Sequence, residues 1–273
     1  MNKLKQMIQY RGNSIAFALL TAFFTVVPES FFVFGCIPCS WEVSTCILVN
    51  RLIVCVVTLV VVDLGYYVYR QRRSSLTISE RTYAIQIERG DLLEVKNGLK
   101  VVSFDECFTN TVGERPADVK PASICGQFLR KHPVTDMSAL IAQSGIKSDG
   151  TSKYMDKPSY RPGTIIHHGE YLLMAFATLD QNGLGRMTFD SYLNCLNVLW
   201  EEIDKYHCTN DVYLPILGSR IVRFEKELTQ QELLDIMIFS YRLSQHKLKL
   251  PNMLHIVYRD RNGFSINNIV GVD

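Results

Sequence analysis

Three short segments place small or polar residues where an apolar run stops, which is where open α/β sheets bind their ligands. In ERGDLLE, Gly90 opens space and the Asp91 carboxylate can accept a hydrogen bond from an exocyclic amine. In SICGQF, Ser123, Gly126 and Gln127 would bring backbone N–H groups close to an anion. In LPILGSRIVRF, an apolar run ending at Leu217 breaks at Gly218 into Ser219 and Arg220. Close backbone approach, hydrogen-bond donors and a positive charge are the parts a diphosphate cradle needs. One such glycine segment is usually an ordinary turn. Three at the ends of apolar runs in one chain carry more weight.

Other chemistry finds no support. Hydrolytic triads, a P-loop, G-x-G-x-x-G and H-E-x-x-H are missing from the sequence. His167 and His168 are adjacent, so on a strand they point to opposite faces and do not share a metal. Eight cysteines without paired spacing after residue 73 fit a domain with reduced thiols. Cys36 and Cys39 form a lone C-x-x-C that no second pair completes as a zinc site, though they could cross-link in an oxidising space. No catalytic residue, metal or cofactor is therefore expected.

The elements that must position these segments read as alternating strands and helices. Tyr83–Ile87, Leu99–Ser103, Tyr171–Thr178, Val212–Leu217 and His255–Tyr258 are strand candidates, and the most apolar of them suit burial on both faces. Leu99–Ser103 runs on into the acidic Asp105 and Glu106. Phe189–Tyr206 spaces Tyr192, Leu193, Leu196, Leu199 and Ile203 as a helix face. Thr229 and Glu232 form a capping box opening a helix with the stripe Leu233, Ile236, Met237, Ser240 and Leu243. Lys147–Pro162 is polar and expected to be an exposed loop. The pattern predicts a three-layer α/β fold with a mixed sheet over residues 85–273, after a polar linker over 74–84.

Residues 1–73 belong to a different solvent. Ser14–Gly35 and Cys46–Val68 are each long enough to cross a hydrocarbon core of about 30 Å, predicting a hairpin of two transmembrane helices. Pro28 and Glu29 blemish the first span; Arg51 and Asp63 lie off-centre in the second. Arg51 is expected to meet Glu29 and Asp63 to reach the opposite interface, or else both face partner helices in an oligomer. Lys3, Lys5 and Arg11 precede the first span, Arg70, Arg72 and Arg73 follow the second, and the connection has no Lys or Arg. Both termini are thus expected in the cytoplasm, with the hairpin in the inner membrane. A cleaved signal peptide is the competing reading; it lacks a small-x-small cleavage site and would still leave the second span as an anchor. With 29 Lys plus Arg against 27 Asp plus Glu, neither disorder nor a strongly basic nucleic-acid binder is indicated.

The segments GDLLE, LKVVSFDECF, SICGQFL, LLMAFAT and especially LPILGSR resemble the macro-like domain of transmembrane effectors in bacterial Thoeris anti-phage systems. The resemblance covers about residues 85 to 225, and the preceding hairpin matches the family's arrangement. It implies a macro-like α/β/α domain that binds an ADP-ribose-type second messenger, histidine-conjugated ADP-ribose made by a partner TIR-domain protein. Binding would then act through a homo-oligomer on the lipid bilayer, disrupting the membrane and aborting infection. On this resemblance Asp91 lies against the adenine, and Ser103, Phe104, Asp105 and Glu106 take the place of an Asn-rich loop beside the distal ribose. Ser123, Gly126 and Gln127 belong to the family's helix-start segment. Gly218 to Arg220, after Leu217, form the diphosphate loop, and Tyr258 is an aromatic neighbour of the base. Hydrolytic macro domains carry Asn-Ala-Ala-Asn where this chain has Asp105 and Glu106, which implies binding without turnover. A membrane-tethered ADP-ribosyl hydrolase, with Asp105 or Glu106 orienting a water, is the alternative, and a nucleotide sensor outside immunity is a third reading.

Overall fold

The structure is a computed structural model that describes residues 10–33, 42–219, 223–224, 227–259 and 265–269. It divides into two compact units, Met1–Arg73 and Ser74–Asp273.

The first unit holds helix α1 (Tyr10–Val26), a 3-10 turn (Glu29–Val33) and helix α2 (Val43–Arg72). The expected first span over Ser14–Gly35 is not one helix. Proline lacks an N–H and disfavours helical backbone in the residue before it, so Pro28 ends α1 at Val26. Its apolar part is the shorter stretch Ser14–Val26, whereas Val43–Tyr69 is long and apolar enough to cross a membrane. That segment's 27 residues rise roughly 40 Å. Arg51 of α2 meets Glu29 at 3.1 Å, as expected, and its guanidinium lies 5.2 Å from the Phe32 ring centroid. Asn50 Nδ2 donates to the Phe32 carbonyl at 2.7 Å, so two polar side chains of α2 hold the 3-10 turn. Cys36 and Cys39 lie outside the described residues.

The second unit begins with β1 (Ser75–Ser79), inside the stretch expected to be a linker; it pairs antiparallel with β2 (Ala84–Arg89). Its alternating exposed and buried residues suit an edge strand with one wet face. There follow β3 (Leu99–Asp105), α3 (Ile124–Lys131), α4 (Met137–Ser144), β4 (Gly150–Thr151), β5 (Pro158–Ser159), β6 (Ile165–His168), β7 (Tyr171–Leu179) and β8 (Gly185–Met187). The chain continues through α5 (Phe189–Tyr206), β9 (Val212–Pro215), β10 (Arg223–Phe224), α6 (Gln230–Leu243) and β11 (Leu254–Tyr258). Among the described residues the main sheet runs β1-β2-β11-β9-β3-β7-β8-β10, with β6 also on β7. The run from β2 to β7 is parallel.

Alternation sends successive side chains of these central strands to opposite faces. Val101, Leu172, Met174, Leu214 and Ile256 pack with Leu199, Trp200 and Ile203 of α5 and Leu233, Met237 and Tyr241 of α6. Val102, Phe104, Leu173 and Ala175 pack instead with Cys125, Phe128 and Leu129 of α3 and Met137 of α4. Helices therefore cover both faces, and the expected three-layer α/β/α arrangement is present. Details differ. The buried arc of α6 is Leu233, Leu234, Met237, Ile238 and Tyr241, while Leu243 is 83% exposed. Trp200 and Tyr241 meet edge to face at 5.0 Å, so α6 turns an arc between sheet and α5 rather than a single stripe. On α5, Leu193 is half-buried and Cys195 and Trp200 complete the inner face. The loop Lys147–Pro162 is not wholly exposed, because β4 pairs with β5 and Ser152 and Tyr160 are buried. β9 stops at Pro215, two residues before the expected end, because proline cannot donate to the ladder.

The capping box forms as expected: Thr229 N donates to Glu232 Oε2 at 2.8 Å, and Glu232 N donates to Thr229 Oγ1 at 3.2 Å. Thr229→Ala should destabilise the domain by about 1 kcal/mol, read as a lower thermal midpoint of the full chain in detergent, with Thr229→Ser restoring most of it. An unchanged midpoint would show that the cap contributes nothing.

Candidate functional site

The carboxyl ends of all five parallel strands open on one cavity of about 660 Å³. Gly90 follows β2, Ser103 to Asp105 close β3, Phe176, Ala177 and Leu179 close β7, Pro215 to Leu217 follow β9, and Val257 to Arg259 close β11. Segments from 116 to 125, 183 to 185 and 218 to 219 complete the wall. All three segments singled out from sequence thus meet at one place, although they are far apart along the chain.

The expected residues take different positions there. Ser103, Phe104 and Asp105 line the cavity where β3 shifts register against β7, between Phe104 and Asp105. Asp105 Oδ1 accepts from the N–H groups of Cys107 at 2.9 Å and Thr109 at 3.1 Å, so this carboxyl folds its own turn. Burial pushes the Asp105 carboxyl up, against the opposing pull of the Thr109 and Cys107 bonds. Glu106 does not line the cavity. It is buried and accepts from Ser152 Oγ at 2.5 Å and Leu179 N at 3.0 Å.

Ser123 caps α3: its Oγ accepts from Gly126 N at 2.9 Å and donates to the Lys120 carbonyl at 2.6 Å. The first-turn N–H groups of Ile124 and Cys125 have no partner within the helix, and both residues line the cavity with Ser123. Gly126 is needed for packing instead, because a Cβ there would run into the Lys120 carbonyl and meet Pro121 Cα at 3.0 Å. Burial raises the Cys125 thiol well above its ordinary value, which keeps it an inert wall group.

Leu217, Gly218 and Ser219 line the cavity, and Gly218 has φ +83°, a left-handed conformation that favours glycine. Arg220 lies outside the described residues. Tyr258 lines the cavity and donates its hydroxyl to the Ser74 carbonyl at 2.9 Å.

Asp91 and Gln127 lie behind the wall and converge on Arg259, which sequence reading passed over. Arg259 Nη2 donates to Asp91 Oδ2 at 2.5 Å and to Gln127 Oε1 at 2.9 Å, and Arg259 itself lines the cavity. Asp91 also caps the 3-10 turn Leu92–Glu94 by accepting from Leu93 N at 3.1 Å. Burial pushes the Asp91 carboxyl up, but the Arg259 and Leu93 bonds outweigh it and hold the group below the usual carboxylate range. A depressed carboxylate stabilises the fold above its unfolded pKa of about 3.9 and loses that contribution as pH falls through its folded value. Wild-type thermal midpoints should therefore fall more steeply below pH 4 than those of Asp91→Asn; identical acid limbs would show the pair to be thermodynamically silent. The sequence signal for Arg259 was its place directly after the last strand.

A mixed sheet with a parallel centre, buried between two helix layers and carrying its cavity at the strand carboxyl ends, makes this an α/β/α domain with a ligand-sized cavity where open sheets bind. A family described as the macro domain of the Thoeris protein ThsA matches residues 85–259, and the chain belongs to that family. It is 24% identical over 206 residues to the Thoeris protein ThsA of Bacillus amyloliquefaciens (strain Y2), covering 71% of this chain and 68% of that protein. Solved structures similar to it include the macrodomain of Thermus aquaticus DarG, at 14% identity and TM-score 0.40, covering 64% of this chain and 98% of that one. The Oceanobacillus iheyensis macrodomain with ADP is another, at 10% identity and TM-score 0.40, covering 69% and 90% respectively.

Proposed function

We propose that the cavity receives an ADP-ribose-type nucleotide and that the chain is a membrane-anchored receptor in Thoeris anti-phage defence. The observation that carries this reading is the convergence of five strand ends, the first turn of α3 and the Gly218 loop on one cavity of about 660 Å³, within the usual range of about 300–1,000 Å³ for small-molecule sites. In this reading Ser103, Phe104, Asp105, Ser123, Leu217, Gly218, Ser219 and Tyr258 contact the ligand, with Arg220 beside them. The ligand is a signalling nucleotide made by a TIR-domain protein, with histidine-conjugated ADP-ribose the first candidate.

Binding without turnover is favoured over hydrolysis because Glu106 does not line the cavity and Asp105, which does, is held by its own turn. Glu106 ties Ser152 to β7, and Asp105 folds its own turn. In this reading Val43–Tyr69 crosses the inner membrane, and the shorter apolar helix Ser14–Val26 makes the second crossing only together with the 3-10 turn Glu29–Val33, leaving both termini in the cytoplasm. Two helices cannot by themselves enclose a water-filled path, since each satisfies its own backbone and lipid would surround the pair. Ligand therefore acts by assembling several copies, and it shifts that equilibrium by binding the assembled state more tightly. Membrane disruption then aborts the infection.

Full-length protein in liposomes should release a trapped dye when ADP-ribose or its histidine conjugate is added, while residues 74–273 bind the same nucleotide calorimetrically, return it unchanged and release no dye. Leakage that is equal with and without nucleotide would defeat the gating step. Absence of any binding heat would defeat the receptor reading.

A further inference from the structure

Among the described residues, Arg259 is the cationic side chain of the cavity wall that its bonds to Asp91 and Gln127 hold in place. The described lysine of the wall, Lys120, is already spent on the carbonyls of Glu114 at 2.8 Å and Arg115 at 2.7 Å. Arg223 is exposed on the two-residue strand β10. Arg259 instead follows the central strand β11, its backbone carbonyl accepts from Arg89 Nε at 3.2 Å, and its side chain is 35% exposed. Both bonds it makes to Asp91 and Gln127 use one nitrogen, Nη2. A guanidinium carries five N–H donors in a planar fork. The two bonds use both hydrogens of Nη2, and the Nε donor and the two Nη1 donors of Arg259 make no hydrogen bond to any described residue.

Holding Nη2 spends the side-chain entropy before an anion binds and leaves Nε and Nη1 as separate single donors, since both two-pronged edges of the guanidinium, Nε/Nη2 and Nη1/Nη2, pass through the occupied Nη2. The two holders are themselves fixed. Asp91 is bonded to the 3-10 turn through Leu93 N, and Gln127 Nε2 donates to the Ala122 carbonyl at 2.9 Å.

We propose that Arg259 is the anion-reading residue of this cavity, and that Asp91 and Gln127 are positioning residues that hold it rather than ligand contacts. The inference rests on the reading that the cavity takes an ADP-ribose-type nucleotide. The oxyanion it reads is either the diphosphate of that nucleotide or a carboxylate on the group attached to it.

The test is calorimetry of the full chain in detergent with three probes: ADP-ribose, ADP-ribose carrying an amino-acid carboxylate, and the carboxamide of that conjugate. Arg259→Gln should weaken binding by about tenfold to a hundredfold, the worth of a charge-assisted hydrogen bond, and Arg259→Lys should fall between, keeping charge without the held guanidinium donors. Equal losses for all three probes assign the Arg259 donors to the diphosphate; a loss confined to the free carboxylate assigns them to the attached group. Asp91→Asn should weaken binding in the wild-type background and add nothing in Arg259→Gln, whereas a purely structural Asp91 would cost the same in both. Wild-type affinity for every probe in folded Arg259→Gln and Arg259→Lys, judged by an unshifted thermal midpoint, overturns the assignment of Arg259. Equal cost of Asp91→Asn in the two backgrounds overturns its positioning role. Failure of the wild-type chain to bind any probe overturns the nucleotide reading itself, and this inference with it.

Discussion

Gly218→Val should abolish nucleotide binding, with an affinity loss of a hundredfold or more, equivalent to about 2.7 kcal/mol. Gly218 holds φ +83° at the turn after β9, and a side chain in that conformation costs on the order of 1–3 kcal/mol before it touches anything. A Cβ would also lie 2.9 Å from two atoms of the Phe224 ring. That ring cannot simply swing away, since it packs edge to face on the fully buried Tyr192 at 5.5 Å. Tyr192 in turn donates its hydroxyl to the Leu217 carbonyl at 3.3 Å, so the displacement falls on the cavity wall itself. Calorimetry with ADP-ribose, alongside the thermal midpoint, checks the result. Gly218→Ala should lose less, and wild-type affinity in the valine variant would exclude this loop from the site.

The second large effect is expected at Glu106, and it also separates a receptor from a hydrolase. Glu106→Ala would leave the Leu179 N–H and the Ser152 hydroxyl without their acceptor in a buried setting. Each hydrogen bond to a charged acceptor is worth roughly 1.5–3 kcal/mol, so a loss of about 3–5 kcal/mol is expected from the pair. The Glu106 backbone also donates to the Ala177 carbonyl at 2.8 Å and accepts from Tyr160 N at 2.8 Å. Loss of the side chain should therefore loosen the register shift of β3 that shapes the wall beside Ser103 and Asp105. Glu106→Gln keeps an acceptor and should retain most of the stability and the nucleotide affinity. A catalytic Glu106 would give the opposite pattern, a stable glutamine variant stripped of a turnover that the wild type performs. Denaturant unfolding and a product assay on both variants distinguish the two.

The sequence by itself determined the elements whose cause is local. The apolar runs of β3, β7 and β11 are dictated by burial on both faces, and the Thr229–Glu232 box starts α6 because its two side chains satisfy backbone groups three residues apart. The glycine breaks at Gly90 and Gly218 marked strand ends by the same local logic, and a β-strand's end is where the cavity had to be. Even the stop of α1 at Val26 was encoded, in Pro28, although the apolar run hid it.

Tertiary structure alone decided which polar residues face the cavity. Asp105 and Glu106 are neighbours at the end of one strand, yet one lines the wall and the other is buried against Ser152 and Leu179, partners 46 and 73 residues away. Asp91, Gln127 and Arg259 look unrelated in sequence because their link spans 168 and 132 residues. The strand Ser75–Ser79 reads as linker for the same reason, since its polar face is exposed and its pairing is supplied by β2. Periodicity reports how a side chain relates to its own element. Which distant donor it meets depends on how the strands are ordered across the sheet, and that order was settled by packing two helix layers against β2-β11-β9-β3-β7.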